Sequence, residues 1–249
     1  MIYFQQGYIG CFEMENAEEG EIKLREYVNT LKNAGHKKII APIDGDTWHK
    51  YRLVSFTNGE LPFPLEPQNP LWYNSVYEKC GFRPLKKYFS EKFEINNVIM
   101  PEKDSAITIR NFCEGDLKLI YDISRCGFDE NFLYAQISYE EFEKLYMPAL
   151  SFADFNLVCV AEAEGVAAGF MFSFVSHGRL ILKSIAVLPK YRQNGIGTML
   201  IGHVLTAAKN KGITTAIGAL IAQGNSSHKI VSKYGGEIIR EYTLYELEV

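Results

Sequence analysis

From about Ala106 onward, apolar and polar positions recur with periods that mark regular elements. Ala106-Ile-Thr-Ile-Arg110 alternates with period two and predicts a short strand, and residues 115–126 predict a helix. A second helix is expected over 139–150, with Ser138 as its N-cap and Glu141 placed to complete a capping box. Three strands follow over 156–162, 166–174 and 179–187, with turns at Glu164-Gly165 and His177-Gly178. Ile201, Val204, Leu205 and Ala208 then stand at i, i+3, i+4 and i+7, one apolar stripe on a helix that ends at Lys211-Gly212. A strand over 214–222, a short helix over 226–233 and a strand over 237–247 complete the series. The order predicts a mixed α/β fold, complete in itself within residues 106–249.

The first hundred residues read as a partial second copy. Leu24, Tyr27, Val28 and Leu31 form the same stripe, and Lys32-Asn33-Ala34-Gly35 resembles Lys209-Asn210-Lys211-Gly212 at a constant offset of 177 (201 − 24 and 212 − 35). Lys79-Cys80-Gly81 falls opposite Tyr234-Gly235-Gly236 at an offset of 155, so the first copy holds 177 − 155 = 22 extra residues. They are expected in the proline-rich segment 44–69, long enough for a lid or a wall. The expected division is therefore a partial domain at 1–100 and a complete one at 106–249.

With 47% hydrophobic and 13% aromatic residues the chain has ample material for a core, and its net charge of −4 speaks against a nucleic-acid surface. No stretch approaches the roughly 18 uninterrupted apolar residues of a membrane span, and residues 1–10 lack the pattern of a signal peptide. Cys11, Cys80, Cys113, Cys126 and Cys159 show no C-x-x-C pair, which suits reduced thiols in a cytoplasmic protein, most of them small core residues. No His, Cys, Asp or Glu cluster has metal-ligand spacing, so no metal is expected.

One segment carries chemistry. Arg192-Gln193-Asn194-Gly195-Ile196-Gly197-Thr198 follows a predicted strand and opens a predicted helix. Unpaired amides and the partial positive charge of a helix start suit a pyrophosphate. Gly195 and Gly197 permit close backbone approach, and Arg192 offers a charge-assisted contact. A dinucleotide-binding reading of the same glycines fails, because position 200 is Leu and the motif lies late, behind several strands.

In its strand–turn–loop–helix setting, this segment resembles the coenzyme A loop of the GNAT superfamily of N-acetyltransferases, whose pattern is (Q/R)-x-x-G-x-(G/A). Residues 106–249 match that superfamily's element order, and Tyr77-Glu78-Lys79-Cys80-Gly81-Phe82 looks like the Y-E-K-x-G-F that often closes such a fold. The resemblance implies a GNAT-like acyl-CoA N-acyltransferase fold in tandem with a degenerate partner. It implies acetyl-CoA as co-substrate and a small-molecule or peptide amine as acceptor, in a monomer or homodimer without nucleic-acid or membrane partners. It further implies that the backbone of Ile185, Ala186 and Val187 holds the pantetheine and that the Val187 N–H polarises the thioester carbonyl.

The chain departs from the family pattern along the proton path. Position 183, a glutamate in many members, is Lys, and the N-x6-Y spacing from Asn225 lands on Ser232. Tyr234, two residues on, stands about 200° round a helix and faces elsewhere. Ser232 is thus the one hydroxyl at the acid's position, and Asn225 either meets the pantetheine or caps the helix. His177 and His228 read as exposed and unpaired. In the first copy the 177 offset sets Glu15, Glu18 and Glu21 opposite Arg192, Gly195 and Thr198, so carboxylates stand where phosphates would sit. Each such contact near 4 Å would cost about 1–4 kcal/mol, and that copy is expected to bind no coenzyme A. For the acceptor, segment 126–150 offers Phe128, Phe132, Tyr134, Tyr139, Phe142 and Tyr146 as walls, and Asp129, Glu130 or Glu140 for a cationic amine. Beside the enzyme stand two other readings: a non-catalytic acyl-CoA-binding or regulatory module, and a purely structural tandem domain.

Overall fold

Residues 6–96, 98–99 and 106–249 are described by a computed structural model, and they form six α-helices and ten strands. In chain order these are β1 Gln6–Tyr8, α1 Ala17–Asn33, β2 Lys38–Ala41, β3 Leu53–Thr57, α2 Tyr73–Lys79, β4 Arg83–Glu94, β5 Ile107–Asn111, α3 Leu117–Gly127, α4 Tyr139–Leu150, β6 Val158–Ala163, β7 Val166–Ser176, β8 Arg179–Val187, α5 Ile196–Asn210, β9 Thr215–Ala222, α6 Ser226–Val231 and β10 Glu237–Glu248. The expected boundary over 100–105 and the leader reading of residues 1–5 lie outside the described residues.

The chain forms two compact units: Met1–Phe89 with Ile239–Val249, and Ser90–Ile238. This differs from a linear cut at 100–106, because β4 and β10 each run from one unit into the other. The second unit includes Ser90–Glu94 of β4, whereas the last eleven residues belong to the first unit.

In the first unit β2 pairs with β1 in parallel and with β10 antiparallel, Tyr245 opposite Ala41 and Glu248 opposite Lys38. The proline-rich insertion adds a strand of its own: β3 pairs with β10, Arg240 opposite Thr57 and Thr243 opposite Leu53. Helix α1 buries Leu24 completely, with Val28 and Leu31 packed on the same cluster of Ile39, Leu53, Val76, Tyr77 and Tyr245. Tyr27 of the predicted stripe is instead 43% exposed and meets Phe12 edge to face. The offset of 177 persists in the structure, since α1 and α5 end at 33 and 210 and β2 and β9 begin at 38 and 215.

In the second unit the strand order is β4-β9-β8-β7-β6-β5. Strands β5 to β8 form an antiparallel meander turned by Glu164-Gly165 and His177-Gly178, each with positive φ at both residues. Phe170, Phe172 and Phe174 project to one face, where Phe128, Tyr146 and Phe152 meet them edge to face. Helix α5 buries all four stripe residues, Ile201, Val204, Leu205 and Ala208. Ser138 caps α4 by accepting the Glu141 N–H at 3.2 Å. Two expected elements begin or end elsewhere. Residues Phe155–Leu157 form a 3-10 turn before β6, because Asp154 accepts the Asn156 N–H. Helix α6 stops at Val231, and Ser232–Tyr234 tighten into a 3-10 turn that ends on Gly235 in the left-handed conformation. Of the five free cysteines only Cys80 and Cys159 are buried; Cys11, Cys113 and Cys126 are exposed, so the core role expected for most of them holds for two.

Candidate active site

Strands β8 and β9 start side by side and then part. Their parallel pairing runs from Leu180/Ala216 to Leu182/Gly218 and goes no further, although β8 continues to Val187 and β9 to Ala222. Two local irregularities accompany the separation. On β8, Lys183 is the extra residue of a bulge, because Leu182 pairs with Ser173 and Ser184 with Phe172. On β9, Leu220 takes φ +58° and donates its N–H to the Ser90 hydroxyl of β4 instead of to β8.

The parting leaves backbone groups facing a gap. The Leu188 N–H donates to Ala168 O at 2.8 Å, so by antiparallel alternation Phe170/Ala186 is also a hydrogen-bonded pair, whereas Gly169/Val187 and Met171/Ile185 are not. The N–H and C=O groups of Ile185 and Val187 therefore point away from β7, toward the side where β9 has departed. Those of Ala186 are used by β7.

The segment 192–198 follows directly. Gly195 is the N-cap of α5 at φ +76°, ψ −3°, and makes no side-chain cap bond. Gln193 also has positive φ, +69°. The first helical bond is Met199 N–H to Gly195 O, so the amides of Ile196, Gly197 and Thr198 have no acceptor among the described residues. A Cβ on Gly197 would come within 3.0 Å of Ile230 Cδ1 and 3.8 Å of Ile185 Cδ1, which sets β8, α5 and α6 around one point. The start of α1 is closed by contrast. Asn16 Oδ1 accepts the Glu19 N–H at 2.9 Å, Glu19 accepts the Glu15 N–H at 3.0 Å, and Met14 fills the space beside Gly20.

Arg192 is not aimed at the helix start. Its guanidinium pairs with Glu130 and donates to Gly127 O at 3.1 Å and Val187 O at 3.4 Å. Asn225 caps α6, its Oδ1 accepting the Ser227 N–H at 2.9 Å. Ser232 is exposed and closes α6, and its hydroxyl makes no hydrogen bond. Tyr234 stacks on Phe93 with ring centroids 4.8 Å apart, its hydroxyl accepts the Ile99 N–H, and burial raises its pKa.

Two features escaped the sequence. His228 is not unpaired: its Nε2 lies 3.5 Å from buried Glu91 on β4, and bare Gly236 makes room for that carboxylate. These residues stand 228 − 91 = 137 positions apart, so no local pattern links them. Tyr146 lies beside Ser184 next to the bulge, and burial pushes its hydroxyl up to about 12 while Ser184 pulls the other way, so it stays protonated near neutral pH. Phe142 is fully buried and stacks on Tyr146 at 4.1 Å, a core contact, whereas Phe132 is 40% exposed. His177 lies exposed in its turn, as expected. Among the described residues no group of three His, Cys, Asp or Glu side chains is placed to hold a metal, and no helix is long and apolar enough to cross a membrane.

Comparison with known proteins gives a consistent picture. Residues 118–231 match the acetyltransferase (GNAT) family model. The fold is similar to a GCN5-related N-acetyltransferase from Sphaerobacter thermophilus (TM-score 0.63, 14% identity, 91% of this chain and 66% of that one). It is also similar to a tandem GNAT protein from the clavulanic acid biosynthesis pathway (TM-score 0.53, 9% identity, 94% and 71%). A third likeness is to the GCN5-related glucosamine N-acetyltransferase region of a fungal multi-domain β-N-acetylglucosaminidase (TM-score 0.58, 13% identity, 91% and 27%). The chain thus spans just under two thirds of the first of these structures and about a quarter of the fungal one. No curated protein sequence matches it.

Proposed function

We propose that the chain transfers an acetyl group from acetyl-CoA directly to a primary amine, a reading supported by the match of residues 118–231 to the acetyltransferase (GNAT) family model. The observation that carries this reading is the gap beyond Leu182 and Gly218, which opens beside three unsatisfied amides at the start of α5. A thioester tail laid along β8 finds the backbone groups of Ile185 and Val187, and a diphosphate finds the amides of Ile196, Gly197 and Thr198. Gln193, Asn194 and Gly195 shape the loop around that diphosphate. The Val187 N–H stabilises the charge that develops on the carbonyl oxygen. Ala186 contributes its small side chain rather than its amide, since a Cβ on Gly127 would stand 2.8 Å from that of Ala186.

Arg192 exchanges Glu130 for the diphosphate when the co-substrate arrives, a charge-assisted contact of the same kind. The amine loses its proton to water or a relay, because Lys183 offers no carboxylate. Ser232 is a minor proton donor to a thiolate that already leaves readily. Asn225 holds the start of α6, and its amide nitrogen remains for a pantetheine carbonyl. The first unit resembles the later half of the same fold, but Asn16, Glu19 and Met14 close its helix start, which supports a degenerate copy without coenzyme A. The free thiols suit the cytoplasm.

The test is steady-state thiol release from acetyl-CoA with a panel of amines, together with the melting temperature in acetyl-CoA. The Arg192→Glu, Gly195→Glu double variant should lose both turnover and thermal shift while keeping its circular dichroism. A retained shift means the co-substrate sits elsewhere. Binding without turnover on any amine favours the regulatory module, which Lys183 and Ser232 support. No shift in the wild-type protein leaves only the structural reading.

A further inference from the structure

The first unit holds a buried cation that no ion pair among the described residues neutralises. Arg52, at the end of the insertion's first loop, is 6% exposed and sits at φ +65°, a backbone conformation that a non-glycine residue adopts at a cost. Its backbone N–H donates to Pro42 O at 2.9 Å, which fixes the chain there. The guanidinium carbon lies 4.2 Å from the ring centre of Tyr51, 4.3 Å from that of Tyr88 and 5.4 Å from that of Tyr242. Nε and Nη1 are buried without a hydrogen-bond partner.

Three carboxylates of the same insertion, Glu66, Asp46 and Asp44, are committed elsewhere. Glu66 pairs with Arg240 and accepts from the Tyr242 hydroxyl and the Phe63 N–H. Asp46 accepts from the Trp48 and His49 N–H groups and bonds His49 Nδ1, and Asp44 accepts from the Cys11 N–H. Ring faces attract a cation, but they do not replace the hydrogen bonds and counter-charge that its burial removes. A second arginine, Arg240, shows the arrangement that burial ordinarily requires, and Arg52 lacks it.

We propose that Arg52 anchors a carboxylate-binding site in the first unit. One guanidinium balances one carboxylate and matches it through two parallel N–H donors. A phosphate carries close to two charges near neutral pH and needs a second cation, yet Arg240 is neutralised by Glu66. The flanking rings favour an anion borne on an aromatic or otherwise flat body. Tyr51 is the least buried of the three rings and is the one that moves to admit it. The site is independent of acyl transfer in the second unit.

Sodium benzoate is the probe, with neutral benzamide and inorganic phosphate as comparisons at matched ionic strength, on the full chain. Benzoate should raise the melting temperature by about 5 °C at a hundredfold excess over its dissociation constant, and benzamide should not. Arg52→Lys, which keeps the charge and loses the fork, should weaken benzoate at least tenfold, and Arg52→Gln should abolish its binding. In a crystal soaked with 4-iodobenzoate, the iodine's anomalous signal should lie beside Tyr51 and Tyr88. The crystal keeps the test decisive if either variant fails to fold. Equal shifts from benzoate and benzamide, a larger shift from phosphate, no shift at all, or iodine found only elsewhere would each overturn the proposal.

Discussion

At the scale of single residues, one carboxylate of the second unit, just before α3, is held by several bonds at once. Asp116 is buried, accepts two bonds from Arg110 at 2.6 and 2.9 Å and a third from the Cys113 N–H at 2.8 Å. The Arg110 guanidinium holds its carboxyl below the ordinary carboxylate value. Asp116→Asn should therefore cost about 2 kcal/mol at neutral pH, since it leaves Arg110 facing an amide donor. Because the folded-state pKa is depressed, the wild-type advantage is present above about pH 4 and fades as pH falls through the depressed value. Urea melts of both proteins at pH 7 and pH 3 check this; a constant difference would refute it. Much at this scale was legible in the sequence, because caps and turn glycines act locally: Ser138, Asn225 and the pairs at 164–165 and 177–178 stand as their neighbours dictate. Arg192 did not follow its motif. Its side chain reaches 62 residues back to Glu130, and no local pattern encodes that partner.

At the scale of elements, α6 is held to β9 by the absence of a side chain. A Cβ on Gly218 would come within 2.9 Å of Val231 Cγ1 and 3.1 Å of Ile221 Cδ1. Gly218→Ala should push α6 outward, destabilise the unit by about 1–3 kcal/mol, and raise KM for acetyl-CoA more than it lowers kcat. Unchanged KM with lower stability would mean that α6 does not border the gap. Periodicity located β8 to the residue and α5 to within its loop, since an alternating run and an i, i+3, i+4 stripe are properties of the element alone. The separation of β8 from β9 was not legible. It depends on a bulge at Lys183 and on Leu220 turning its amide to Ser90, both set by which strands lie alongside. Helix α1 offers a parallel experiment. Asn16→Ala should cost about 1 kcal/mol of stability in thermal melts, and it should create no affinity for coenzyme A, because Met14 and Glu19 still close the helix start.

For the whole molecule, the repeat visible at an offset of 177 suggests a linear division, whereas contacts group Ile239–Val249 with the first unit. Strand order is a matter of long-range pairing, and a strand's sequence does not say which half of the chain it will join. A fragment of residues 106–249 lacks Ser90–Glu94 and the Ile95 N–H to Thr214 O bond at 2.7 Å, and it carries Ile239–Val249 without their partners. It should be poorly soluble or molten, with weak near-ultraviolet dichroism, whereas the intact chain is well folded. A cooperative melt of that fragment would show that the second unit needs neither strand.

The same crossing has a consequence during synthesis. Strand β2 meets β10 along Ile39, Ile40 and Ala41, and β10 begins to join the first unit only at Ile239. Some 245 − 41 = 204 residues must leave the ribosome between the paired positions Ala41 and Tyr245, which at about 5–20 residues per second takes roughly 10–40 s. Through that interval the nascent chain holds an apolar strand edge open, a ready substrate for a chaperone that recognises extended segments.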